Sequence, residues 1–120
     1  MKTDLDAQRV PESFPPDRRR HPRYRFSAPI TIRSAEGLAI AGITIEISVS
    51  GLSAITADSL KVNDTVELEP ILGGRVLALV RRNIGRVSGF EFLNLTAEQV
   101  QQITQSCKLL PVYQGKSLGI

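Results

Sequence analysis

Six short runs rich in aliphatic and β-branched residues follow one another between Ile30 and Phe92, each closed by a turn signal, with no helical period between them. Short strands with regular turns build a barrel or a sandwich. In the first run Ile30 and Ile32 alternate with Thr31 and Arg33. After a turn at Glu36 and Gly37 comes LAIAGITIEI, where a period of two puts Ile43, Ile45 and Ile47 on one side and Thr44, Glu46 and Ser48 on the other. SVSG predicts a bend at Gly51, and LSAIT resumes the extended pattern. A loop at Asn63 and Asp64 precedes Val66 and Leu68. RVLALV is joined through RRNIGR, with Asn83 and Gly85 as hairpin residues, to VSGFEF, which has Phe90 and Phe92 on one face.

The period changes at the end of the chain. In LTAEQVQQITQSCKLL, Thr96 and Gln99 stand at capping-box spacing, and Leu95 and Val100 fit a hydrophobic staple. Val100, Ile103, Cys107 and Leu110 then form an apolar stripe, and Pro111 stops the helix. The spacing predicts a helix over 96–110 and a tail over 111–120. At the other end, residues 1–17 carry Pro11, Pro15 and Pro16 and show no period, which predicts a flexible N-terminal arm.

Aromatics make up only 5% and Trp is absent, so the core must be mostly aliphatic. The single cysteine, Cys107, excludes an intrachain disulfide; on the apolar stripe it reads as a small buried hydrophobe. MKTDLDAQRV has no apolar signal region and no run of 18 apolar residues occurs, so a cytoplasmic chain without a membrane span is expected. His21 is the only histidine and, beside one cysteine, cannot build a His/Cys zinc site; a spacer role between Arg20 and Pro22 suits it better. LGGR at Leu72–Arg75 is a turn without the context of a phosphate-binding loop. No nucleophile–base arrangement is forced, so no enzyme activity and no cofactor is expected.

The net charge of +3 hides an asymmetry. Asp17 to Phe26 holds five arginines (Arg18, Arg19, Arg20, Arg23 and Arg25) against one aspartate, which leaves ten cations and eleven anions elsewhere. Local basicity argues for a local anion site, whereas a protein that coats nucleic acid spreads its cations over a face. The arginine fork can hold a phosphate by two parallel hydrogen bonds, grip the O6/N7 edge of guanine, or stack on a base. On charge pattern alone a solvated basic tail is the better explanation of the cluster. Arg81, Arg82 and Arg86 flank a hairpin and read as solvated, unless the arm folds over that side. A second feature is EISVSG, Glu46 to Gly51, which offers a carboxylate, a hydroxyl and a glycine that lets backbone or ligand approach closely.

RRRHPR followed by E-x-S-x-x-G resembles the PilZ domain, a family of bacterial cyclic di-GMP receptors. That family carries RxxxR on an N-terminal segment and (D/N)xSxxG on a β-barrel. Arg19 and Arg23 match the first motif, with Arg18 just before it; Ser48 and Gly51 match the second; Glu46 stands where the family has Asp or Asn. GFEF at Gly89–Phe92 and the helix after it also resemble the family's end. The resemblance implies a mainly β fold: a six-stranded antiparallel barrel over residues 18–110 with a C-terminal helix. It implies a non-enzymatic receptor that signals to an unidentified downstream protein. In the implied site Arg19 and Arg23 grip phosphate and guanine, Arg18 stacks on or bonds a base, Glu46 and Ser48 take polar edges of a guanine, and Gly51 admits the ligand. Arg18 further implies a stacked pair of ligands, and residues 18–25 are expected to become ordered only on binding. Glu46 is one methylene longer than Asp, so Glu46→Asp is expected to bind as tightly as the parent or tighter. The alternatives are a PilZ-fold interaction module without ligand and, less favoured, a basic-arm binder of polymeric nucleic acid.

Overall fold

The computed structural model describes residues 21–113. Strands β1 (Tyr24–Arg25), β2 (Pro29–Arg33), β3 (Ala39–Ser48), β4 (Gly51–Thr56), β5 (Thr65–Ile71), β6 (Gly74–Ile84) and β7 (Val87–Leu93) precede one helix, α1 (Ala97–Cys107). All strand pairs are antiparallel, in the order β3-β2-β5-β6-β7-β4, and β4 pairs back with β3 to close a six-stranded barrel. Closure leaves these six strands with no free edge. Among the strands, the seventh, β1, pairs with the C-terminal half of β3, because β2 occupies the N-terminal half.

The turns follow from their residues. Gly37, Gly73 and Gly85 have φ of +88°, +86° and +61°, the left-handed region in which glycine carries no steric cost, and Asn63 sits at +78°. The turn between β3 and β4 falls on Val49 and Ser50, so Gly51 opens β4 rather than making the bend. Asn83 likewise stays within β6, and its side-chain amide donates to the Leu60 carbonyl.

The core is aliphatic with two aromatics. Ile32, Ile47, Leu52, Leu68, Val80 and Phe90 are wholly buried, and Ile103 and Cys107 of α1 pack against the same cluster. Val100 remains 39% exposed, so the buried stripe of the helix is narrower than its sequence pattern. The capping box forms: the Gln99 amide donates to Thr96 Oγ1 at 3.1 Å, and the Thr96 amide donates to Gln99 Oε1 at 2.9 Å. Thr96→Ala should therefore cost about 1 kcal/mol of stability, read as a lower urea midpoint at unchanged slope.

One expectation fails at β3. A bulge between Thr44 and Glu46 inserts an extra residue opposite β4 and reverses the alternation on its N-terminal side. Ile43 is consequently 47% exposed and Thr44 is buried, with Thr44 Oγ1 donating to the Phe26 carbonyl at 2.6 Å and accepting from the Ala28 amide at 2.8 Å. Beyond the bulge the predicted parity holds: Ile47 pairs with Leu52, which pairs with Phe90, along the core side.

Candidate functional site

Two sequence-distant segments meet at the C-terminal end of β3. Register sets Arg25 opposite Glu46 and Tyr24 opposite Ile47. On its other side β1 is held by the chain that follows α1: the Arg25 amide donates to the Pro111 carbonyl at 2.7 Å, the Tyr113 amide donates to the Arg23 carbonyl at 2.9 Å, and Tyr24 bridges to Val112. The backbone of Arg23–Arg25 is thus paired with β3 on one flank and with the chain after α1 on the other. The amides of Arg25 and Tyr113 should exchange slowly with deuterium in ligand-free protein; fast exchange at both would contradict this pairing.

Arg23 is only 2% exposed and Arg25 is exposed. Arg18 and Arg19 lie outside the described residues. Of the second motif, Glu46 is 1% exposed and Ser48 is 0% exposed. Both lie on the face opposite the core, as parity predicts, but neither is open to solvent.

The Ser48 hydroxyl is engaged in the β3–β4 turn. Its Oγ lies 2.9 Å from Ser50 Oγ and accepts from the Ser50 amide at 3.1 Å. The Phe92 amide donates to the Ser50 carbonyl at 2.9 Å, which ties that turn to β7. Gly51 has no positive φ, so what it contributes is the absence of a side chain opposite Ser48.

Glu46 has a partner that the motifs do not name. Ser53 Oγ donates to Glu46 Oε2 at 3.1 Å, and Ser53 is itself 2% exposed. Glu46 Oε1 is buried and has no hydrogen-bond partner among the described residues. A buried acceptor in that condition costs about 1–3 kcal/mol, which a donor from outside would recover. The signal for Ser53 was present in the sequence: a two-residue turn at Val49 and Ser50 sets 48 against 51, 47 against 52 and 46 against 53.

The same row continues across the barrel from Ser53 to Gly89 and from Gly89 to Arg82. A second bulge, between Val80 and Arg82, leaves both Arg81 and Arg82 exposed, and Arg81 Nε lies 3.5 Å from Glu91 Oε1. A groove of 660 Å³ lined by Ile43, Ile55 and Arg86 lies at the opposite end of the β3–β4 hairpin, so it is separate from these residues. Among the described residues no group of His, Cys, Asp and Glu could hold a metal ion, and no helix is long and apolar enough to cross a membrane.

The family model for the PilZ domain matches residues 17–109. Solved structures share the architecture. The PilZ domain of YcgR from Escherichia coli, solved with c-di-GMP, aligns with a TM-score of 0.62 at 17% identity, covering 78% of this chain and 91% of that one. The PilZ domain of CeSA from a cellulose-synthesizing bacterium gives 0.59 at 17% identity, covering 72% and 94%. The Bacillus subtilis inhibitor of motility, MotI/DgrA, gives 0.61 at 20% identity over 77% of this chain and 50% of that chain. No curated protein matches.

Proposed function

This chain belongs to the PilZ domain family, and we propose on that premise that it is a non-enzymatic receptor for cyclic di-GMP that passes the signal to a partner protein. The observation that carries the reading is the meeting of the arginine segment with the Glu46–Gly51 hairpin at one end of the barrel. A structural relative was solved with this ligand. Two phosphates and two guanines suit a set of arginine forks beside a carboxylate. Arg19 and Arg23 hold phosphate and guanine, Arg18 stacks on a base, Glu46 accepts from a guanine edge, Ser48 shapes the turn beneath it, and Gly51 leaves room for the ligand. Residues 18–110 form the receptor domain, and the site of action is the cytoplasm.

The burial of Glu46 favours one second reading, a PilZ-fold interaction module that has lost its ligand. Calorimetric titration separates the two. The receptor reading expects saturable heat with two cyclic di-GMP molecules per chain, at verified active protein concentration. A one-to-one endpoint would refute the stacked pair, and the absence of heat would favour the interaction module. Tight binding to duplex DNA with a steep salt dependence would instead point to the arginine arm as a nucleic-acid binder.

A further inference from the structure

Resting on the receptor reading, we propose that Ser53 is a positioning residue for guanine recognition: its hydroxyl holds one oxygen of the Glu46 carboxylate and so aims the other at the base. The carboxylate is 1% exposed and its one hydrogen bond from a described residue comes from Ser53, at 3.1 Å to Oε2. Glu46 Oε1 has no such bond among the described residues. A glutamate has three rotatable side-chain bonds, and fixing one carboxylate oxygen removes most of that freedom before the ligand arrives. Each oxygen has two acceptor sites, so Oε2 can keep Ser53 and still take one donor, while Oε1 is wholly available. The N1–H and N2–H₂ edge of guanine supplies two parallel donors of matching spacing.

The strand geometry serves the same end. The bulge between Thr44 and Glu46 ends in the row that contains Ser53, and the bulge between Val80 and Arg82 ends in that row from the other side. Bulges re-aim side chains, and here both act where the carboxylate meets its serine. Ser53 pairs on its other flank with Gly89, which has no side chain to compete for the hydroxyl. The work of the two serines is therefore divided. Ser48 holds the turn, and Ser53 holds the carboxylate.

The test compares cyclic di-GMP with cyclic di-IMP, whose hypoxanthine lacks the 2-amino group, on the full chain and on Ser53→Ala and Ser53→Thr, with thermal melts of each. The parent prefers the guanine ligand. Ser53→Ala should weaken cyclic di-GMP binding by roughly three- to tenfold and bring the preference towards unity, because a swinging carboxylate no longer rewards the second donor. Ser53→Thr keeps the hydroxyl and should restore the preference. A serine that merely supports the fold would weaken both ligands alike, so an unchanged preference in Ser53→Ala overturns the proposal. Should Ser53→Ala fail to fold, Ser53→Cys, near in size and a weak donor, carries the same expectation. A parent that binds neither ligand would refute the receptor reading itself, and this proposal with it.

Discussion

Arg23→Ala is expected to lower the affinity for cyclic di-GMP by roughly tenfold to more than a hundredfold, the scale of ~1.5–3 kcal/mol for a hydrogen bond to a charged group. Arg25→Ala, two residues away, should change it far less. Both side chains belong to one short segment and carry the same charge, so a diffuse electrostatic tail would treat them alike. The structure separates them by burial: Arg23 is 2% exposed, and Arg25 is exposed. Charge interactions strengthen out of water, so the buried fork is worth more to an anion than the solvated one. The backbone of Arg23 is also fixed, through its carbonyl, by the Tyr113 amide. Calorimetry on both variants decides the matter. Thermal melts run beside it, because truncating a buried side chain also lowers stability. Equal, small losses of affinity would remove Arg23 from the site.

Glu46→Ala is the second large effect, a loss of at least ~1.5–3 kcal/mol of binding, since it deletes the acceptor for a guanine edge. Glu46→Asp should fall between parent and alanine, losing roughly 0.5–1.5 kcal/mol, the net worth of one hydrogen bond. Sequence comparison with the family argued the other way, that the shorter residue binds at least as well. A free glutamate would have an extra rotatable bond for the ligand to freeze. Ser53 already restrains it at 3.1 Å, and an aspartate, one methylene shorter, would draw its carboxylate back from that contact. Tighter binding by Glu46→Asp than by the parent would show that the longer side chain is not the fitted one.

The succession of strands was legible because they are short and alternating and most are separated by glycine or asparagine turns; the choice of a barrel over a sandwich came from the resemblance to the PilZ family. The helix was legible because Thr96 and Gln99 announce its start. The bulge in β3 was not, for no residue near Ile45 signals an extra unpaired position, and so the faces of Ile43 and Thr44 were exchanged. β1 escaped notice for a different reason. Tyr24 and Arg25 are too few to show a period, and their ladder depends on Glu46, Ile47 and Pro111, all distant in sequence. The candidate site divides in the same way. Motif spacing picked out Glu46, Ser48 and Gly51, but burial of the carboxylate is a property of the closed barrel and what lies against it. Ser53 was within reach of simple register counting once the turn was placed at Val49 and Ser50 rather than at Gly51.

The claim that this end of the barrel is a cyclic di-GMP site is tested most directly by following backbone amide resonances while the ligand is added. The account predicts that the amides of Arg23, Glu46, Ser48, Gly51 and Ser53 shift and saturate together, while those of Ile43, Ile55 and Arg86 around the opposite groove stay in place. Shifts confined to the groove residues, or none at saturating ligand, would contradict it.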